Sequence, residues 1–405
     1  MSTPHGPGAG IALAADRLDD PELVEAGDPA GMLRQVASSA AQVRTALRTC
    51  AETDLSALRP DGRPRAIVVA GTGGGSGIVG DVLAAICGAG APVQVTSCRG
   101  YQLPGWVGAA DLVIAVSCSG STRETLAAAT EAARRGCGLV AVGGAGSPLH
   151  RIAERVRASF IPVTSAGMPR STLWGLAVPP LVIAERLGVT RVGADAYEAA
   201  AAAMEDVSHQ CRPASESFVN PGKSLALDLV GALPLIWGGS ALAGVAARRF
   251  ASQLSTNAKH PATAGVLPDA AHDQVAVFDG PFAPGPEPDF PAAEDFRESA
   301  AAGAGMMEFD DGADLRMSLR LVLLADAAGE HPEVTRLREA AGELAEQRGI
   351  AVSRLATDGE HPLRRLAGLI QLIDYATVYI AIASGIDPFP VTAIEDLKER
   401  IAELP

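Results

Sequence analysis

The sequence predicts an α/β protein in which two parallel sheets, each flanked by helices in three layers, follow one another along the chain. Three observations carry the prediction. The apolar run Ala66-Ile-Val-Val-Ala70 empties into Gly71-Thr72-Gly73-Gly74-Gly75-Ser76-Gly77 and then into a helical stretch, Ile78 to Ile86. A second apolar run, Asp111 to Val116, empties into Ser117-Cys118-Ser119-Gly120-Ser121-Thr122 and a helix from Glu124. The pattern starts again at Leu233-Pro-Leu-Ile-Trp237, Gly238-Gly239-Ser240 and a helical Ala241 to Leu254, an echo of Val68 to Ser76 that suggests an internal repeat. Strands separated by helices of about ten or more residues need crossover connections, and these give a parallel sheet covered on both faces.

Taken in order, residues 1–30 are rich in Gly, Pro, Asp and Ala and read as a loosely held arm with one short helix. A helical stretch from Met32 to Leu58 stops at Arg59-Pro60-Asp61-Gly62-Arg63-Pro64. After the first strand, others are expected at Val93 to Thr96, Asp111 to Val116, Leu139 to Val142 and Phe160 to Val163, with a helix from Glu124 to Arg135 and a long helical tract reaching Cys211. Residues 31–212 make the first domain and 213–405 the second. The second carries a helix Lys223 to Val230, the strand at Leu233, the helix at Ala241, and strands Leu319 to Ala325 and Ile350 to Ser353 around a helix Glu333 to Arg348. A mostly apolar helix, Leu363 to Ile382, and a last short helix bearing Lys398 after Asp387-Pro388-Phe389-Pro390 complete it. Residues 280–315, with Pro, Ala and acidic residues throughout, cannot bury enough apolar surface to order themselves and read as a mobile insert.

With 48% hydrophobic but only 4% aromatic residues, the cores are filled by Ala, Val, Leu and Ile. A formal charge of -14 and the lack of any basic stripe argue against nucleic acid as a partner. Six scattered cysteines without a Cys-x-x-Cys pair read as reduced thiols of a cytoplasmic protein, and seven scattered histidines without ligand spacing imply no metal. No run approaches about 18 apolar residues, so no membrane span is expected, nor is a signal peptide.

The loop Ser117 to Thr122 sets three hydroxyls and free backbone N–H groups at a helix N-terminus, where the helix dipole favours an anion. It can serve as a phosphate cradle built without a lysine. The same atoms can also serve as an ordinary N-cap. The glycine loop at Gly71 to Gly77 would open on the same edge of the sheet, and ligands of such sheets lie outside the carboxyl ends of the strands. A dinucleotide is not expected, because Pro92-Val-Gln-Val-Thr-Ser97-Cys98-Arg99 offers no acidic residue for a ribose. No Gly-Lys-Ser/Thr for a nucleoside triphosphate is present either, and no cofactor is implied.

Several motifs together resemble a known family, the double sugar-isomerase-domain (SIS) proteins that act as bifunctional phosphoglucose/phosphomannose isomerases. They are Gly73-Gly-Gly75-Ser76-Gly77-Ile78 with Asp81, Ser117-Cys-Ser119-Gly-Ser-Thr122-Arg-Glu124-Thr125, Pro169-Arg170, Asn257-Ala258-Lys259 followed by Leu267-Pro268 and His272, and Asp387-Pro388 to Leu397-Lys398. The resemblance implies two tandem SIS domains and a cytoplasmic homodimer acting on a sugar phosphate. It also implies that Ser117, Ser119 and Thr122 hold the phosphate beside the Gly75 and Ser76 turn. Arg170 would face the developing enediolate, His272 would open the sugar ring in the partner's site, and Lys398 matches the lysine of the family's last helix.

Two positions depart from the family: its glutamate after the ring-opening histidine is absent, since Asp273 and Gln274 follow His272, and so is the glutamate of the proton shuttle. An Asn-Glu-Asn-Ala-Lys stretch there supplies the glutamate that moves the C1/C2 proton, and here Ser255-Thr256-Asn257-Ala258-Lys259 puts Thr256 in its place. A threonine hydroxyl is too weak a base for the role unaided. Two readings therefore stay open: an aldose-ketose isomerase of glucose 6-phosphate or mannose 6-phosphate in which His260 or Asp273 substitutes for the glutamate, and a sugar-phosphate-binding protein that kept the cradle.

Overall fold

The computed structural model describes residues 7–56, 58, 62–164, 167–283 and 317–403. Helices α1 (Pro7–Asp19), α2 (Pro21–Gly27), α3 (Met32–Ala37) and α4 (Ser39–Glu52) precede a first sheet of β1 (Ala66–Ala70), β2 (Gln94–Cys98), β3 (Leu112–Ser117), β4 (Gly138–Gly143) and β5 (Ser159–Pro162). All five strands run parallel in the order β2-β1-β3-β4-β5. The crossovers carry α5 (Val79–Cys87), α6 (Arg123–Arg134) and α7 (Pro148–Val156), and α8 (Leu173–Arg186) and α9 (Ala194–Gln210) follow the last strand.

After α10 (Pro221–Leu229) the second sheet forms from β6 (Ala232–Gly238), β7 (Thr263–Val266), β8 (Ser318–Ala325) and β9 (Ala351–Ala356), parallel in the order β7-β6-β8-β9. Between these strands lie α11 (Ala241–Gln253), α12 (Ala270–Asp273) and α13 (Pro332–Gln347), and α14 (Pro362–Ala383) and α15 (Thr392–Glu403) close the chain. The segment read as a mobile insert falls, beyond Ala283, outside the described residues.

Unbroken apolar runs form the central strands β1 and β3 and most of β6, because both faces of each sheet are covered there. Ile67, Val69, Ile114 and Val116 face one core, and Val68, Ala70, Val113 and Ala115 face another against Ala128, Ala129 and Leu149. In the second sheet Ile236, Val322 and Leu324 join the first of these cores, while Leu235, Trp237, Leu321 and Leu323 turn to a third. The inner faces of both sheets thus share one continuous core, threaded by α14. That helix is long and apolar enough to cross a membrane, yet it is enclosed by protein.

Residues 7–27 correct the reading of a loosely held arm. Ala14, Leu18 and Val24 are buried against α14, and Asp20 caps α2 through the N–H groups of Glu22 and Leu23. The pin is the buried Lys223, whose Nζ donates to the carbonyls of Leu18 at 2.5 Å, Pro213 at 2.8 Å and Ser215 at 2.7 Å. Composition misses this because the anchor comes from a distant helix. The helical stretch after Met32 divides at Ser38, and the tract reaching Cys211 divides between α8 and α9. The four-residue β7 and the helix α7 were not anticipated, since the glycines before Pro148 mask the start of α7.

Candidate active site

In the first sheet the strand order reverses between β1 and β3, which opens a crevice at their carboxyl ends. The loop leaving β3 lies there. Ser117 is fully buried, with its Oγ 2.9 Å from Thr122 Oγ1; Ser119 Oγ lies 2.8 Å from Ser121 Oγ and accepts from the Ser121 N–H at 3.2 Å. Gly120 has φ +65°, and a Cβ there would strike Ser147 Oγ at 2.0 Å, so only glycine passes. Thr122 is the N-cap of α6 but its side chain makes no capping bond. In α7 and α11, by contrast, Ser147 and Ser240 accept N–H bonds from their own first turns. The hydroxyls before α6 bond one another and leave the N–H groups of its first turn without a side-chain cap, the condition under which a helix N-terminus attracts an anion.

The loop leaving β1 closes over the same crevice. A Cβ on Gly71 would stand 2.7 Å from Ser76 O and 3.2 Å from Val116 O, so this loop folds across the end of β3. Gly75 lies against Pro169, in the single 3-10 turn Pro169–Ser171 that carries Arg170. Arg170 is only 4% exposed. Its Nε donates to Asn257 Oδ1 at 2.7 Å, and its Nη2 donates to the carbonyls of Pro388 at 2.7 Å and Phe389 at 2.8 Å. Every one of these acceptors is neutral. Burial, and then the charge of Arg249, lowers the guanidinium pKa to about 10, with Asp387 opposing.

Asn257 and Thr256 sit in one π-helical turn, Leu254–Ala258, that continues α11; such turns are frequent at functional sites. Lys259 leaves this turn in the left-handed region, φ +54°. Its Nζ donates to Asn257 O at 3.0 Å and Asp387 O at 2.8 Å. Burial, followed by the charge of Arg170, lowers its pKa, and Asp387 again opposes. The structure therefore gathers Gly75, Arg170, Asn257, Lys259 and the Asp387-Pro388 segment from both halves of the chain.

Among the described residues no side-chain hydrogen bond joins the other candidates to that group, although Thr256 shares the turn of Asn257 and His260 follows Lys259. Thr256 is half-buried and its Oγ1 donates to Ser252 O at 2.9 Å. His260 Nδ1 lies 2.8 Å from Pro261 O, and Asp273 accepts from the Gln274 N–H at 2.6 Å. His272 is exposed on α12, and Lys398 is exposed on α15 beside the exposed Ile394, Leu397 and Ile401. Sequence reasoning passed over Arg249 and Asp374, although a charge on the apolar stripe of α11 and another between Ile373 and Tyr375 are unusual enough to mark them. Among the described residues, no three His, Cys, Asp or Glu side chains lie together as a metal ion would need.

The matching crevice of the second sheet is filled from within. Asp326, at the end of β8, accepts from Ser240 Oγ at 2.8 Å, Arg365 Nε at 2.7 Å and Thr357 Oγ1 at 3.0 Å. Glu330 Oε1 accepts the Asp326 N–H at 2.7 Å, and a Cβ on Gly239 would meet that oxygen at 2.2 Å. The Gly-Gly-Ser echo is real in the backbone, but the protein's own carboxylates occupy the place where an anion would go.

Residues 218–401 match the family described as the bacterial phospho-glucose isomerase C-terminal SIS domain. The bifunctional phosphoglucose/phosphomannose isomerase of Caldicellulosiruptor bescii is 28% identical over 338 residues, 84% of this chain and 90% of that one. The protein of the same name from Thermoplasma acidophilum is 27% identical over 336 residues, 83% and 89% of the two chains. Two solved structures share the fold: a hypothetical protein from Thermus thermophilus, with a TM-score of 0.68 at 17% identity over 98% of this chain and 95% of that one, and a glucose-6-phosphate isomerase from Chlamydia trachomatis, with a TM-score of 0.64 at 13% identity over 99% and 88%.

Proposed function

The chain belongs to the family of double-SIS proteins that includes the bifunctional phosphoglucose/phosphomannose isomerases, and from that membership we propose that it interconverts glucose 6-phosphate or mannose 6-phosphate with fructose 6-phosphate. The observation that carries the reading is Arg170: a buried guanidinium bonded, among the described residues, to neutral oxygens alone, on a turn whose backbone meets the glycine loop at Gly75. Buried charges are normally paired, so a cation held this way is built to meet an anion.

In this mechanism Ser117, Ser119 and Thr122, with the Gly75–Ser76 turn, hold the phosphate. A base removes the C2 proton of the aldose, the electrons pass through the C1–C2 enediolate onto O1, a proton moves from O2 to O1, and the base returns its proton to C1 as the C2 carbonyl of the ketose forms. Arg170 stabilises the charge that develops on the C1 and C2 oxygens. His272, exposed on α12, opens the sugar ring in the partner's site of a cytoplasmic homodimer, and Lys398 acts from α15. Thr256 stands at the position of the base, but its hydroxyl donates to Ser252 O at 2.9 Å and lies 3.4 Å from the amide oxygen of Gln253, neither of them a base able to draw off its proton. Three groups are candidates to take over the shuttle: His260, Asp273, and Asp387, whose backbone carbonyl accepts Lys259 Nζ and whose Oδ1 accepts the Phe389 N–H at 2.9 Å.

That same hydrogen bond of Thr256 favours a second reading, a protein that binds sugar phosphates without turning them over. A coupled assay with both hexose 6-phosphates, run beside a ligand-induced thermal shift, separates the two. Turnover supports the isomerase; a strong thermal shift with no turnover supports the binding protein; neither effect sinks both.

A further inference from the structure

We propose that the buried pair Arg249 and Asp374 positions Arg170, holding its guanidinium where the enediolate oxygens form; the inference rests on the isomerase reading of the site. Arg249 on α11 is 1% exposed and Asp374 on α14 is 4% exposed. Arg249 grips the carboxylate with two prongs, Nε to Oδ1 at 2.9 Å and Nη2 to Oδ2 at 2.7 Å. The same Nη2 donates to the backbone carbonyl of Arg170 at 2.6 Å.

A second chain of bonds returns from the other end of Arg170. Its Nε donates to Asn257 Oδ1 at 2.7 Å, Asn257 Nδ2 donates to Thr377 Oγ1 at 3.0 Å, and Thr377 Oγ1 donates to Asp374 O at 2.9 Å. The ring is closed. Asn257 and Thr377 are fully buried, so water does not compete for its bonds. One turn of α14 thereby holds Arg170 twice, by its carbonyl through Arg249 and by its guanidinium through Asn257.

The distribution of charge shows what the ring is for. Asp374 accepts both prongs of Arg249 and none from Arg170, so it neutralises the supporting arginine and leaves the charge of Arg170 without a bonded carboxylate among the described residues. An ion pair that only joined the two halves of the chain would be simpler with Asp374 on Arg170 itself. Two guanidiniums stand close here at a cost, since the charge of Arg249 weakens the hold of Arg170 on its proton. Arg249 and Asp374 touch no substrate in this arrangement and act only through Arg170.

The test replaces both charges at once, Arg249→Met with Asp374→Leu, because removing a buried pair together leaves no uncompensated charge. The double variant is expected to keep its melting temperature while kcat on fructose 6-phosphate falls at least about ten-fold and KM moves less than about three-fold, the mark of a lost orientation. Arg249→Lys, which keeps the charge but not the fork, is expected to leave kcat reduced. A readout that needs no turnover is affinity for a phosphorylated aldonic acid, whose carboxylate stands in for the enediolate, against affinity for inorganic phosphate. The double variant should weaken the first about ten-fold and the second less than about two-fold. A folded double variant with parental kcat and parental aldonate affinity overturns the proposal, as does a parent that binds the aldonate no better than phosphate. A parent without turnover, whose preference for the aldonate nevertheless collapses in the variant, removes the isomerase reading and leaves the positioning role standing. If the double variant does not fold, Thr377→Val breaks the ring at one neutral bond and is judged by the same two affinities.

Discussion

A Cβ on Gly75 would stand 2.6 Å from the carbonyl oxygen of Pro169, so the glycine loop meets the turn that carries Arg170 backbone to backbone. Neither partner in that contact is a flexible side chain able to swing aside. Gly75→Ala should therefore push Arg170 out of place, lowering kcat and costing about 1–3 kcal/mol of stability, as overpacking does. Gly90→Ala is the control, since its added methyl meets nothing within 4 Å. Equal activity of the two variants would show that the contact does not matter.

The hydroxyl loop predicts ligand-dependent stability. Fructose 6-phosphate at about a hundred times its dissociation constant should stabilise the parent by about 2.7 kcal/mol, visible as a higher melting temperature. Ser117→Ala with Ser119→Ala removes two of the hydroxyls at the end of α6 and should abolish the shift. A double variant that is stabilised as much as the parent would place the phosphate elsewhere.

Thr256→Glu should raise isomerisation above the parent, because a carboxylate there can move the proton that a hydroxyl bonded to Ser252 O cannot. Asp387→Asn in the parent background should lower turnover by about 10²- to 10⁴-fold if Asp387 serves as the base. A parent turning over at about 1 to 10³ per second and unaffected by Asp387→Asn would direct attention to His260 and Asp273.

His272 offers a test of the dimer. If its ring serves the neighbouring site, inactive Arg170→Ala and inactive His272→Ala chains should regain activity when mixed and allowed to exchange subunits, because one site of each mixed dimer then holds both residues. A monomer mass by light scattering, or no recovery on mixing, would remove His272 from that role.

The lowered pKa of Arg170 predicts an alkaline limb. The guanidinium is charged below about 10 and neutral above it, so kcat/KM should stay level from pH 7 to about 9 and fall as pH rises through about 10. Removing Arg249 and Asp374 together takes away the nearby like charge and should move the limb to higher pH. A limb that stays in place would mean that burial alone sets it.

The order of strands and helices was legible because each unit carries its own local signal: an unbroken apolar run, a loop of Gly or hydroxyl residues, then helical periodicity. The hydroxyl loop and the glycine loop were legible for the same reason. Arg249, Asp374 and Thr377 were not, since they lie within helices read as packing, and their bonds to Arg170 and Asn257 join segments far apart in the chain. Residues 7–27 were misread for a like reason, because the lysine that pins them belongs to α10.

By itself the sequence determined the α/β class, the two sheets, the resemblance to an isomerase family and the threonine where a carboxylate is expected. Tertiary structure alone decided that the crevice of the second sheet is closed by Asp326 and Glu330, while in the first the N-cap side chain of α6 makes no capping bond. It also decided that, among the described residues, Arg170 keeps its charge free of a bonded carboxylate, because Asp374 is taken up by Arg249. The physical reason is the same in both cases. The fate of a buried charge depends on which partner packing brings within about 3 Å of it, and no local pattern of residues encodes that distance.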